Sequence, residues 1–438
     1  MTFTMQAIAD RLERTIRAQR PLDLTVTWAD EIIFPSYDGL SLTNVPHTVA
    51  HQLGAPLPAS VPLRDDIWGP TAPDVQRVVV FLLDGLGYQH LLQLIDADDD
   101  IRQAVQDISG GRGALPLTSI APSTTAVALP ALWTGGTPAQ TGMIGTAMFL
   151  RELHAIFNML AFNPALPDMP IDAIYDWGMT VDDVVHRAGL ATHLAQHGIP
   201  TYMLTNKYFI GSGLSSVLHR GIPRDHMYTH IAATDFDLQA HHILRDTQGD
   251  RCHVSLYWSG MDSLAHKYGT HSAYTHEDVK RRLLALRDIL QRDDVRDGQT
   301  LFMLMADHGH YDVSQTIDLA TDAPAQVIRD AMTFAATGDN RLPILHLRPD
   351  TVDDVRDALQ THYSDHIAVV DSHSAYTGGL HGVGDDFAPV TRARMGDLIL
   401  IPRRGVLVTG RVPRPQMISW HGGLSDWEMI IPLLWHTL

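Results

Sequence analysis

Residues 301–313 read LFMLMADHGHYDV. The first six are uninterrupted apolar side chains, a run that reads as a buried strand, and the run stops at Asp307-His308-Gly309. A carboxylate and an imidazole therefore arrive together where the strand ends. Successive strand residues point to opposite faces, so this pair converges on one ion only if the backbone turns there, which Gly309 permits. A turn carrying an idle polar pair is the plain alternative.

Working outward, similar runs occur at Val78 to Leu83, Thr201 to Leu204, Cys252 to Trp258 and Asp397 to Ile401. Between them, Val181 to His197 and Glu277 to Asp293 space Leu, Val and Ala at helical intervals and read as crossover helices. Strand runs alternating with helical segments indicate an α/β fold with a largely parallel central sheet and helices on both faces. Ligands of such sheets bind beyond the carboxyl ends of the strands, which is where Asp307 and His308 fall.

The 438 residues can bury a large core. Residues 1–74 are rich in proline and end near WGPTAP, so they read as a helix plus an irregular extension packed on a catalytic domain spanning 75–438. Within that domain, strand, helix and strand patterns over about 340–395 indicate a small inserted cap. An excess of 50 acidic over 32 basic residues gives a formal net charge of −18, which argues against nucleic-acid polymers and anionic membranes as partners. The single cysteine, Cys252, fits a reducing compartment, and neither a signal-type leader nor a membrane-length apolar run is evident, so a cytoplasmic location is expected. Cys252 and Trp133 read as core residues. Histidine is frequent, with 25 copies, and neutral imidazole is the commonest metal ligand.

Four other stretches carry chemistry. RVVVFLLDGLGY, 77–88, ends a strand run in Asp84 and a Gly-bracketed turn. LYWSGMDSLAHKYG, 256–269, places Asp262 and His266 four apart, on one face of a helical turn. SWHGGLSDWEMIIPLL, 419–434, leaves His421 before two glycines, while Ser425 and Glu428 fit a capping box. SIAPSTTAVALPALWTGG, 119–136, offers Ser123, Thr124 and Thr125 as helix caps, or one of them as a nucleophile where N–H groups and the helix dipole favour a phosphate. Pro130 implies a short first segment or a kink in the helix that follows. Three carboxylates, three histidines and a hydroxyl match the needs of two zinc ions with positions left open for substrate.

The order Asp, Thr, Asp-x-x-x-His, Asp-His-Gly, His-Gly resembles the alkaline phosphatase superfamily and, within it, the type I phosphodiesterase/nucleotide pyrophosphatase family, over roughly residues 75–438. The resemblance implies that Asp84, Thr125, Asp307 and His308 hold one metal and that Asp262, His266 and His421 hold the other. Thr125 is taken as nucleophile because it lies nine residues before Thr134-Gly135. Two positions depart from the family pattern: Ala128 stands where its nucleotide pyrophosphatases usually carry Asn, and Gly87 where many carry Arg.

The activity implied is hydrolysis of a small-molecule phosphate ester, a diester or pyrophosphate, through a phosphothreonine at two divalent ions. Zinc suits the three imidazoles, with manganese as the alternative. A phosphomutase of the same superfamily, or a non-catalytic module that binds phosphate esters, are the competing readings. Among other histidines, His381 is the rival to His421 as last ligand, and His193 and His197 read as solvated or capping at a helix end.

Overall fold

Seven strands build the central sheet of the computed structural model, which describes residues 5–68, 75–211, 213–410 and 417–438. They are β1 (Arg77–Leu83), β2 (Leu115–Thr118), β3 (Thr201–Asn206), β4 (Met227–His230), β5 (Cys252–Trp258), β6 (Thr300–Met305) and β7 (Ile430–Thr437), in the order β2-β7-β6-β1-β5-β3-β4. Five neighbours, β6, β1, β5, β3 and β4, run parallel; β7 is antiparallel to both β6 and β2. Every residue of β1 and of β6 is buried, as the unbroken apolar runs require of parallel strands covered on both faces. Helices Ala233–Asp246 and Ala273–Leu290 supply the crossovers on either side of β5.

This order places β1 between β5 and β6, with Leu83 beside Trp258 and Leu82 beside Met305. The segments that leave these three strands therefore emerge together at one edge. They carry Asp84, Asp262 and Asp307.

A second sheet has seven antiparallel strands, in the order Ile367–Asp371, Leu398–Pro402, Leu342–Leu345, Thr337–Asp339, Ala147–Leu150, Ala155–Asn158 and Asn163–Pro164. The run at Asp397 to Ile401 is thus a strand of this sheet and not of the parallel one, and residues 340–395 share their sheet with a hairpin from 147–164. Apolar periodicity identifies a buried strand but not the sheet that buries it.

The expected long helix over Val181 to His197 is two short ones, Val181–Val184 and Leu190–Gln196, the second starting after extended Gly189. The expected helix at Glu277 begins earlier, at Ala273, where the Ser272 side chain accepts from Thr275 N at 3.3 Å, and runs to Leu290.

Helix Met5–Arg17 buries Ile8, Leu12 and Ile16 in the same apolar cluster as the central sheet. Beyond it, Leu42 N donates to Thr118 O at 2.8 Å and Ile33 N to Leu424 O at 2.7 Å, which ties the early chain to β2 and to the His421 loop. A further helix, Asn44–Gln52, lies within this region, and residues 69–74 of its proline-rich end fall outside the described residues. No helix among the described residues is long and apolar enough to cross a membrane.

Candidate metal centre and nucleophile

Asp84 continues β1 by one hydrogen bond, its N donating to Trp258 O at 3.0 Å, and then the chain turns at Gly85 with φ +80. Asp307 lies two residues beyond the end of β6. Asp84 Oδ2 accepts from the Tyr257 hydroxyl, whereas Asp84 Oδ1 is buried without a hydrogen-bond partner among the described residues. Asp307 Oδ1 accepts from Gly85 N at 3.1 Å and from His308 N at 3.0 Å, and Asp307 Oδ2 is likewise buried without a partner. Each carboxylate thus has one oxygen fixed by the protein and one oxygen free, and both face His308 Nε2, at 3.6 and 3.4 Å.

Such an arrangement is costly without a cation. Burial, reinforced by the charges of Asp307 and Asp262, pushes the Asp84 carboxyl well above the usual carboxylate range. A divalent ion removes that penalty and gives the two orphaned oxygens a partner.

Histidine orientation fits the same purpose. His308 Nδ1 lies 3.2 Å from Gly309 O, His266 Nδ1 2.8 Å from Ser419 O, and His421 Nδ1 3.3 Å from Ser123 O. If each Nδ1–H donates to its backbone carbonyl, each Nε2 lone pair is left pointing inward, the tautomer that a ligating imidazole requires. Burial, aided by the neighbouring imidazoles, drives His421 well below its usual value, and burial drives His310 down to about 4. Both are therefore neutral near pH 7 and able to ligate.

The structure gathers Asp84, Asp307 and His308 into one group of donor atoms and Asp262, His308, His310 and His421 into a second, each spanning no more than 4.8 Å. His266 borders the second group, with Nε2 3.4 Å from Asp262 Oδ1. His310 is a residue that the sequence reading passed over: its Nε2 is 2.8 Å from Asp262 Oδ1 and its Nδ1 2.8 Å from Ser419 Oγ. His381 lies apart from both groups, with Nδ1 2.7 Å from Ala121 O. His193 and His197 lean on the backbone oxygens of Ala55 and His193.

Of the three adjacent hydroxyls, one faces the centre. Ser123 Oγ donates to Gly423 O at 2.7 Å, and Thr124 Oγ1 pairs with Thr146 Oγ1 at 3.2 Å. Thr125, half-buried at the first position of helix Thr125–Thr134, has its Oγ1 3.0 Å from His308 Nε2. The helix continues through Pro130 and ends at Gly135 in the left-handed region, φ 72.

Gly309 serves close packing. A Cβ at this position would meet Trp427 O at 2.0 Å and Gly87 Cα at 2.7 Å, while Gly309 N donates to Glu428 O at 2.8 Å. Gly87 has the same constraint, since its Cβ would lie 2.6 Å from Trp427 O. Gly309→Ala is therefore expected to cost about 3 kcal/mol or more, read as a lower denaturant midpoint at unchanged slope. An unshifted midpoint would show that the Trp427 segment yields freely.

The profile of the type I phosphodiesterase / nucleotide pyrophosphatase family matches residues 78–424. The chain belongs to this family. No curated protein matches the sequence. Among solved structures, murine ectonucleotide pyrophosphatase/phosphodiesterase 5, in an inactive form with AMP, is similar over 82% of this chain and 88% of its own, at 15% identity and a TM-score of 0.57. Phosphonoacetate hydrolase from Sinorhizobium meliloti 1021, in complex with phosphonoformate, is similar over 83% of this chain and 90% of its own, at 14% identity and a TM-score of 0.58. At these identities the likeness is one of fold, the alkaline phosphatase-like α/β architecture.

Two roles in this family member differ from their sequence reading. Ser425 and Glu428 form no capping box: the Ser425 side chain caps no helix N–H and instead donates to Glu428 Oε2 at 2.6 Å. Glu428 is committed to Arg341, whose Nε and Nη2 reach its two oxygens at 2.9 and 2.6 Å. Trp133, expected in the core, is half-buried and packs against it, and it also lines a cavity that opens beside Thr125.

Proposed function

We propose that this member of the phosphodiesterase family hydrolyses a small phosphate ester, a diester or pyrophosphate, with Thr125 carrying the phosphoryl group and two divalent cations, zinc or else manganese, beside it. The observation that carries this reading is the position of Thr125 Oγ1. It is the one hydroxyl of its row turned to the centre, at a helix start, 3.0 Å from an imidazole shared by both groups of donor atoms.

The cations, held by Asp84, Thr125, Asp307 and His308 on one side and by Asp262, His266 and His421, with His310 adjacent, on the other, would favour ionisation of the threonine hydroxyl and neutralise phosphoryl charge. The protein supplies the remainder. Thr125 Oγ1 forms the new bond to phosphorus as the ester oxygen departs, and the N–H groups of Thr125 and Ala126, which precede the Val127 and Ala128 N–H groups that donate to Thr124 O, would face the phosphoryl oxygens. Water then breaks the Thr125 Oγ1–phosphorus bond, releasing the phosphorylated product and restoring the hydroxyl. Tyr257 and Gly85 N hold Asp84 and Asp307 in place throughout. We place this activity in the cytoplasm, because the single cysteine is buried and free.

Metal analysis of the purified chain, paired with turnover of bis-p-nitrophenyl phosphate, tests the reading. Two equivalents of zinc or manganese and chelator-sensitive release of p-nitrophenolate are expected. Isomerisation of a sugar phosphate without phosphate release would point to a mutase. Metal-free protein that binds esters without turnover would point to a recognition module.

A further inference from the structure

We propose that the cavity beside Thr125 receives an uncharged, apolar ester group of the substrate, an aryl ring system or an alkyl chain. The proposal rests on the hydrolase reading above and adds the chemical class of the group attached to phosphorus.

The helix that starts at Thr125 carries Leu129, Leu132 and Trp133 four, seven and eight residues further on, and all four side chains line the same cavity. These spacings form one helical face. With a rise of about 1.5 Å per residue, the stripe extends about 12 Å from the nucleophile. Met203 and Leu204 of β3 also line the cavity. Leu160, 45% exposed, stands at the rim.

The lining is mainly apolar; its further polar members Thr205, Ser215, Ser255, Tyr257, Ser259 and Ser263 carry hydroxyls, and charge is nearly absent. It includes no Lys or Arg among the described residues, and its acidic members, Asp84 and Asp262, belong to the metal centre. Burial pushes the one lining imidazole, His219, down to about 4, so it is neutral at physiological pH. A second phosphate or a carboxylate would find no counter-charge here, and an ammonium group would find no anion beyond the ligands themselves. Ala128, at the position where the family's nucleotide pyrophosphatases usually carry Asn, is fully buried and does not line the cavity.

The cavity measures about 270 Å³. Since an apolar cavity of about 150 Å³ holds benzene, this one has room for a bicyclic aromatic or an alkyl chain of about eight carbons.

The test uses the metal-loaded enzyme and p-nitrophenyl phosphodiesters whose second group is methyl, butyl, octyl, naphthyl or thymidine. All release the same chromophore. We expect kcat/KM to rise about fourfold per methylene until the cavity fills, and the naphthyl ester to exceed the thymidine ester by at least about tenfold. Leu160→Asp, at the solvent-facing rim, should flatten the dependence on chain length. Measurable hydrolysis with a flat series, or a preference for the thymidine ester, would overturn the apolar assignment and leave the hydrolase standing. If no ester turns over, the hydrolase reading fails, and calorimetric binding of octylphosphonate against methylphosphonate then decides the cavity: equal affinities overturn the proposal, and a stronger octyl compound supports it.

Discussion

Thr125→Ala is expected to lower turnover of a phosphate diester by about a thousandfold or more, with the fold unchanged. The proposed mechanism forms a bond at Oγ1, so on that reading removing the atom removes the covalent route and leaves only direct attack by water. Thr125→Ser keeps an oxygen at the same place and should retain much of the rate. The neighbouring Thr124 provides the control: its hydroxyl is engaged with Thr146 and is turned from the centre, so Thr124→Ala should cost about 1 kcal/mol of stability at most and little turnover. Acid quenching during steady-state turnover should trap the mass of a phosphoryl group on the peptide containing Thr125 and on no other. Comparable kcat for the Ala variant and wild type would remove Thr125 from the chemistry, whatever its position.

The parts of this centre that were legible in the sequence are those where a strand ends in an acid. Asp84 and Asp307 each follow an unbroken apolar run, and parallel order brings those ends together, so strand reading and site reading support one another. Asp262 was legible for a different reason, its four-residue spacing from His266 on a helical turn. His310 was not legible, because its place beyond Gly309 gives no local sign that its side chain returns to the centre. The chain crosses that glycine at close quarters to Trp427 O and returns a second imidazole to the same side, a result that depends on packing 118 residues away.

Sheet membership was equally hidden. Leu398–Pro402 has the apolar pattern of a parallel core strand, yet it pairs antiparallel with Ile367–Asp371 and Leu342–Leu345, because burial on two faces looks alike in either sheet. The family match over 78–424 accounts for the ordered motifs. It does not reveal the apolar stripe below Thr125, whose role shows itself only when Leu129, Leu132 and Trp133 are found lining one cavity with Met203 and Leu204.

Glu428 is the residue whose sequence reading was furthest from its role, and Glu428→Gln should have the largest effect on stability, a loss of about 3–5 kcal/mol. Glu428 and Arg341 are paired at two points with side chains 0% and 2% exposed, so the variant leaves a buried guanidinium without its counter-charge. Burial alone would raise the Glu428 pKa, but the Arg341 charge and its hydrogen bonds prevail and hold it below the usual range. A carboxylate depressed in this way stabilises the fold fully above its unfolded pKa of about 4.3, and that contribution disappears as pH falls through the lower folded value. The stability gap between wild type and variant should therefore be constant from pH 8 to 5 and shrink in stronger acid. Function should respond too, because Glu428 Oε1 accepts from Gly423 N at 2.8 Å beside the His421 loop, and Glu428 O accepts from Gly309 N beside His308. Loosening both should weaken metal affinity about 10- to 100-fold while kcat of the fully loaded enzyme changes less. Replacing both partners by methionine separates pairing from packing: the double variant should recover most of the lost stability, since no buried charge then lacks a partner. If it is as unstable as Glu428→Gln, the hydrogen bonds to Gly423 and Ser425, and not the pairing with Arg341, hold this junction together.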